Sequence, residues 1–188
     1  MTITETKADA KLITADELLQ LYSKGVQGEL IRGELCRTMP AGGEHGEIVV
    51  NLAYQLQSFV KPRGLGRIAA SDSGVWLERD PDTVREPDIA FISTGKIPAD
   101  ARITGYYEVA PDLVVEVVSP NNTDREINDK AKMWLSHGVQ LVWVVYPDTR
   151  TVAIHPHDGP VTVLSDTETL DGQDILPGFT CNIADIFD

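Results

Sequence analysis

The sequence predicts a mixed α/β fold, and three observations carry that prediction. Three segments repeat apolar residues at helical spacing, while several short runs rich in valine and isoleucine are typical of strands. Residues 142–145 are entirely apolar, which favours a central strand covered on both faces. No repeat, linker or low-complexity tract interrupts the 188 residues, a length that suits one domain with a sizeable core.

Composition indicates an ordinary soluble protein in a reducing compartment. Hydrophobic residues make up 42% of the chain and charged residues 24%. No apolar stretch approaches the ~20 residues that span a bilayer, and the polar N-terminus does not resemble a signal peptide. We therefore expect no membrane contact. Cys36 and Cys181 are far apart and lack metal-ligand spacing, so we expect free thiols and a cytoplasmic location.

The net charge argues against non-specific binding of nucleic acid. Sixteen Lys and Arg against 29 Asp and Glu give −13, whereas DNA binding relies on basic residues that displace counterions from phosphates. A DNA-binding function would therefore depend on local basic residues, for which there are two candidate groups: Lys61, Arg63 and Arg67, or Lys24, Arg32 and Arg37.

The N-terminal region divides into a tail and the start of the folded domain. We expect residues 1–13 to form a disordered tail and residues 14–188 to form a single domain. Thr14 and Glu17 have the spacing of a capping box, which predicts a helix that ends at Gly25.

The remaining elements follow from local patterns. Residues 29–36 predict a hairpin, and the apolar positions from His45 to Phe59 predict a second helix that ends at Pro62. A third helix is expected from about Asp124 to Gly138, and residues 93–110 are expected to form a loop. Strands are predicted at residues 67–70, 74–77, 85–92, 113–118, 142–145, 151–154 and 161–164, followed by a C-terminal tail.

Glu116 is the most informative residue, because it lies in the middle of the apolar run 113–118. Burying a carboxylate without a partner costs several kcal/mol, so something must compensate for its charge. One possibility is a buried ion pair with an arginine such as Arg102 or Arg125. The other is a divalent cation held together with Asp88, which follows Pro87 and directly precedes an apolar run.

The order of these segments resembles the PD-(D/E)xK nuclease superfamily, and within it the Uma family of "putative restriction endonucleases". The resemblance implies a restriction-endonuclease-like core, with a mixed central sheet flanked by helices and an N-terminal helix and hairpin. It extends nearly from end to end of the chain. The matching parts are Gly28-Glu29-Leu30-Ile31-Arg32-Gly33-Glu34-Leu35, His45, Glu86-Pro87-Asp88-Ile89-Ala90, residues 111–120, Lys130 and Trp143-Val144-Val145-Tyr146-Pro147.

The same resemblance implies a metal site and its residues. Asp88, Glu116 and the backbone carbonyl of Val117 are the expected ligands of Mg²⁺, with Mn²⁺ as a substitute. The superfamily lysine should follow Glu116 by two residues, but that position is Val118. In the Uma pattern the lysine lies on the following helix, where Lys130 stands.

Several residues keep more than one interpretation. Lys132 competes with Lys130, although it lies two residues further round the helix and cannot face the same way. His45 is either a hydrogen-bonded core histidine or a site residue that serves as ligand or proton carrier. Glu29 and Glu34 are both candidates to approach the site from the hairpin.

The function implied by the resemblance is Mg²⁺-dependent hydrolysis of DNA phosphodiester bonds by a metal-activated water. Asp88, Glu116, Lys130 and His45 are the expected catalytic residues, and a homodimer is expected because relatives that cut duplexes commonly pair. Two alternatives remain open, since fold does not determine function. One is a non-catalytic protein-interaction module, and the other is a metal-dependent hydrolase of small phosphoesters.

Overall fold

The computed structural model describes residues 12–37, 42–120 and 122–188. The predicted tail therefore lies almost wholly outside the described residues. Of that segment, Ile13 donates its backbone N–H to the carbonyl of Gly33 at 2.9 Å. Within the described ranges, no helix is both long and apolar enough to cross a membrane.

The N-terminal helix and hairpin form as the sequence predicts. Helix α1 spans Ala15–Tyr22, and Thr14 caps it: its hydroxyl accepts from the Glu17 N–H, while the Glu17 carboxylate accepts from the Thr14 N–H. Strands β1 (Glu29–Ile31) and β2 (Glu34–Cys36) form the hairpin. Together with β4 (Val75–Glu78) and β5 (Thr83–Arg85) they make a four-stranded sheet in the order β2-β1-β5-β4.

The centre of the molecule is a six-stranded mixed sheet of β3 (Gly66–Ala70), β6 (Ile89–Ser93), β7 (Leu113–Val117), β8 (Leu141–Tyr146), β9 (Thr151–Pro156) and β10 (Thr162–Ser165). The strands lie in the order β10-β9-β8-β7-β6-β3. Strands β7 and β8 run parallel, and every other neighbouring pair in this sheet is antiparallel. The expected mixed central sheet is thus confirmed.

Helices cover both faces of this sheet. Along β8, Leu141, Trp143 and Val145 pack with helix α2 (Gly43–Val60). Val142 and Val144 point to the other face and pack with helix α3 (Asp124–Ser136). The alternation follows from the two-residue period of a strand. It explains why residues 142–145 are apolar without a break, because each face of β8 meets a different hydrophobic cluster.

The predicted strand 85–92 is wrong in one respect, since the chain there forms two strands in two sheets. Strand β5 ends at Arg85 and β6 begins at Ile89. Pro87 has no N–H to donate to a ladder, and the N–H of Glu86 donates to the Glu29 carboxylate at 2.8 Å. The interruption therefore has a local cause, and it leaves Asp88 outside regular structure.

The predicted C-terminal tail is also wrong, because these residues complete the core. Strands β11 (Thr169–Gly172) and β12 (Leu176–Asn182) form a hairpin that leads into the short helix α4 (Ala184–Phe187). Phe179 is 2% exposed and contacts two other rings, Trp143 at 6.0 Å and Phe59 at 5.5 Å between centroids. The C-terminal hairpin thus closes the side of the core that α2 leaves open.

Replacing Phe179 with Ala tests the role of this hairpin. We expect the free energy of unfolding to fall by about 3–5 kcal/mol, because a fully buried ring is removed. Tyr54→Ala is the matched control, since Tyr54 is 69% exposed on α2 and should change stability by no more than about 0.5 kcal/mol. Equal effects of the two substitutions in urea denaturation would show that the hairpin does not support the core.

Candidate active site

The predicted site residues come from four separate elements and meet at one end of the central sheet. Asp88 directly precedes β6, Glu116 lies in β7, His45 is in the first turn of α2 and Lys130 is on α3. The register pairs Ile89 with Val115 in antiparallel strands, so Asp88 and Glu116 lie opposite each other. The two helices reach this place from opposite faces of the sheet.

Glu116 is 3% exposed and its charge is compensated by α3 rather than by an arginine. Its Oε2 accepts from Lys130 Nζ at 2.8 Å, and its Oε1 accepts from Trp134 Nε1 at 2.7 Å. Of the two arginines considered as partners, Arg125 pairs with Asp129 at 3.6 Å instead. Burial raises the pKa of the Glu116 carboxyl, and the Lys130 ammonium opposes that rise.

Asp88 is held by one of its oxygens. Oδ2 accepts from the Val117 backbone N–H at 2.7 Å and lies 3.3 Å from His45 Nε2. Among the residues that the structure describes, none donates a hydrogen bond to Oδ1, and the side chain keeps 21% exposure. One oxygen is thus fixed in place, and the other faces partial solvent.

His45 lies in this cluster, with its Nε2 3.3 Å from Asp88 Oδ2. Its hydrogen bond to Asp88 raises the pKa of the imidazole; burial opposes the rise, and the Val117 backbone and the Glu116 charge add to it. The imidazolium form is therefore favoured beside the two carboxylates. The Val117 carbonyl, which the sequence analysis named as a ligand, borders the same ring.

Lys130 is shared between two carboxylates. Its Nζ lies 2.8 Å from Glu116 Oε2 and 3.8 Å from Glu29 Oε1. Burial alone would lower the pKa of the ammonium, but the surrounding carboxylates outweigh burial and raise it. Lys130 is therefore a fixed cation at the site, whereas its competitor Lys132 is exposed.

The structure separates the two glutamates of the hairpin. Glu29 is 8% exposed and lies at the site, while Glu34 is exposed on β2. Besides contacting Lys130, Glu29 lies 3.1 Å from Arg85 Nε and accepts from the Glu86 N–H. Sequence reasoning missed Arg85 and also Trp134 as a hydrogen-bond donor. The position of Trp134 one helical turn after Lys130 is the signal that could have found it.

The donor atoms present fit the chemistry of a magnesium ion. Asp88, Glu116 and the Val117 carbonyl offer oxygen ligands, and Mg²⁺ is usually bound through one or two carboxylates with waters completing the shell. In the described part of the chain, no group of three or more His, Cys, Asp and Glu side chains is arranged to hold a metal. These residues therefore fit a magnesium site with two carboxylate ligands and a backbone carbonyl. They do not form a site in which side chains alone surround the ion.

The fold is that of a restriction-endonuclease-like protein, and acidic and basic side chains cluster at one end of its central sheet. Residues 15–184 match the profile of the Uma2 family, which is described as "Putative restriction endonuclease". The chain belongs to this family.

A solved structure has the same fold. It is the crystal structure of a "putative nuclease belonging to DUF820" from Anabaena variabilis, with a TM-score of 0.79 and 24% sequence identity. The match covers 93% of this chain and 97% of that chain. A comparison with curated proteins found no match.

A double-mutant cycle tests whether Lys130 compensates Glu116. Lys130→Met should lower the free energy of unfolding by about 3–5 kcal/mol, because it leaves a buried carboxylate without its cation. Adding Glu116→Gln should recover part of that loss, since the uncompensated charge is then gone.

The exposed Lys132→Met is the matched control and should change stability by no more than about 0.5 kcal/mol. Strictly additive effects of Lys130→Met and Glu116→Gln in urea denaturation would contradict the pairing.

Proposed function

We propose that this protein is a Mg²⁺-dependent endonuclease that hydrolyses DNA phosphodiester bonds. The observation that carries the proposal is the meeting of Asp88, Glu116 and Lys130, three residues far apart in the chain, at one end of the central sheet. Membership of a nuclease-type family supports the same conclusion. The endonuclease activity, the DNA substrate, the metal dependence and the mechanism are all parts of the proposal.

Asp88 and Glu116 would hold the ion, and the Val117 carbonyl would be the third protein ligand. The ion would supply a bound water of lowered pKa and neutralise charge on the phosphate. Asp88 Oδ1 is free of hydrogen bonds from the described residues, so it is ready to take this role. Both Glu116 oxygens already accept hydrogen bonds, so the ion would have to share Oε2 with Lys130 or Oε1 with Trp134.

Lys130 acts in this proposal as a cation rather than as a base. Its carboxylate neighbours raise its pKa, so it keeps its proton at neutral pH. An ammonium can donate a hydrogen bond to the oxygen of the attacking water and so orient that water. It can also stabilise the negative oxygens of the phosphate as the new bond forms. Glu29, with its Oε1 3.8 Å from the same Nζ, helps to hold the lysine in position.

His45 is the proposed proton carrier. Asp88 raises the pKa of its imidazole, which keeps a proton available next to the carboxylate pair. A protonated imidazole within reach of the departing oxygen can donate that proton and prevent the build-up of an alkoxide.

The overall charge of −13 favours a second candidate. A strongly acidic protein gains little from counterion release on long duplexes, so small phosphoesters or short single strands would suit its surface better. The same residues would carry that reaction, and the size of the substrate separates the two functions.

Cleavage assays with Mg²⁺ or Mn²⁺ test the proposed function. Plasmid and single-stranded DNA should be cut by the wild type, and Glu116→Gln or Lys130→Met should reduce the rate by about two orders of magnitude or more. Asp100→Asn, which changes an exposed carboxylate outside the site, should cut at the wild-type rate. Equal residual cleavage by the wild type and by Glu116→Gln, purified in the same way, would contradict the proposal.

A further inference from the structure

A cavity of about 250 Å³ lies next to the candidate active site. It is bounded by α1, by the residues that precede β4 and by the end of the long loop before β7. Its walls include Tyr22, Asp72, Gly74, Glu86, Tyr106 and Tyr107. This volume is below the usual range for drug-sized ligands, so it suits one small chemical group.

The walls of the cavity are held by hydrogen bonds and close packing. Tyr107 donates its N–H to the Gly74 carbonyl at 2.9 Å and accepts from the Trp76 N–H at 2.8 Å. The Tyr106 ring lies so near Gly74 that a Cβ there would be 2.4 Å from the ring. On the other side, the Tyr22 hydroxyl donates to Glu86 Oε1. The cavity is therefore largely formed before any ligand arrives.

The chemistry of the walls excludes an anion and favours a ligand that donates hydrogen bonds. Asp72 and Glu86 contribute carboxylates, and no Lys, Arg or His is among the described residues that line the cavity. No described residue donates to Glu86 Oε2. The rings of Tyr22 and Tyr106 offer flat apolar surface of the kind on which a nucleobase stacks.

Glu86 connects the cavity to the proposed metal site. Its backbone carbonyl lies 3.5 Å from Lys130 Nζ, and it precedes Asp88 by two residues, a separation of at most about 7 Å. A nucleotide whose base entered the cavity would therefore leave its phosphate close to Lys130 and Asp88.

We propose that the cavity binds the guanine base of an unpaired nucleotide, with the Glu86 carboxylate accepting hydrogen bonds from the base. Guanine presents two adjacent donors, N1–H and the N2 amino group, which match the two oxygens of a carboxylate. The other bases present fewer donors on that edge. The link to cleavage rests on the proposed nuclease function, whereas base binding itself does not.

This assignment also accounts for the acidic surface. Base recognition by a carboxylate and aromatic rings needs no displacement of counterions from phosphates, so it does not require a basic groove. The substrate would then be a single strand, or a duplex with an extruded base.

The test measures binding of nucleosides in EDTA, so that neither a phosphate nor a metal takes part. Calorimetry of the whole protein should detect 2′-deoxyguanosine, with affinity at least about 10-fold weaker for 2′-deoxyinosine, which lacks the N2 amino group, and for thymidine. Glu86→Gln should weaken deoxyguanosine binding at least about 10-fold. Asp100→Asn should bind like the wild type.

Gly74→Ala keeps the test valid if Glu86→Gln fails to fold, because the added Cβ displaces the Tyr106 ring in the cavity wall and should also weaken binding. Absent binding, equal binding of deoxyguanosine and thymidine, or binding unchanged in both variants would overturn the assignment. Deoxyguanosine binding by a protein that cuts no DNA would support the cavity assignment while removing the nuclease function.

Discussion

The rest of the structure depends on how the Glu116 carboxylate is kept in the interior. An isolated charge there would cost several kcal/mol, and α3 supplies both compensating groups, Lys130 and Trp134. Those two hydrogen bonds connect α3 to strand β7 and so hold the helix on the central sheet. Through Glu29, the same lysine also connects to the four-stranded sheet. One buried carboxylate thus ties together the central sheet, a helix and the hairpin.

The second constraint is the break in the chain at Glu86-Pro87-Asp88. A continuous strand there would engage its backbone in a ladder and direct alternate side chains to opposite faces. Because the ladder stops, Asp88 is free to turn its carboxylate toward the Val117 N–H and His45. The same break leaves the Glu86 side chain in the neighbouring cavity. The proline between strands of two different sheets therefore helps to position groups for two adjacent sites.

Local signals in the sequence predicted the parts that depend on neighbouring residues. The capping box at Thr14 and the fully apolar strand at residues 142–145 are of this kind, and both are found in the structure. The position of Glu116 within the apolar run 113–118 also predicted that a group compensating its charge must exist. It could not identify Trp134 as a donor to Glu116, because that contact depends on how α3 packs on the central sheet.

The C-terminal hairpin was missed for a similar reason. Phe179, Cys181 and Ile183 alternate with polar residues as a half-buried strand should, but Pro177 and Gly178 within the same strand weaken that signal. Only contact with α2 and Trp143 makes the hairpin part of the core. Tertiary packing decided its structure, and single-sequence patterns do not contain that information.

The central claim is that Asp88 and Glu116 together hold a divalent cation beside Lys130. Calorimetric titration of the protein with Mn²⁺ and Mg²⁺, without nucleic acid, tests it most directly. We expect saturable binding by the wild type and at least about 10-fold weaker binding by both Asp88→Asn and Glu116→Gln. Binding of equal strength in all three proteins, or no binding by any of them, would contradict it.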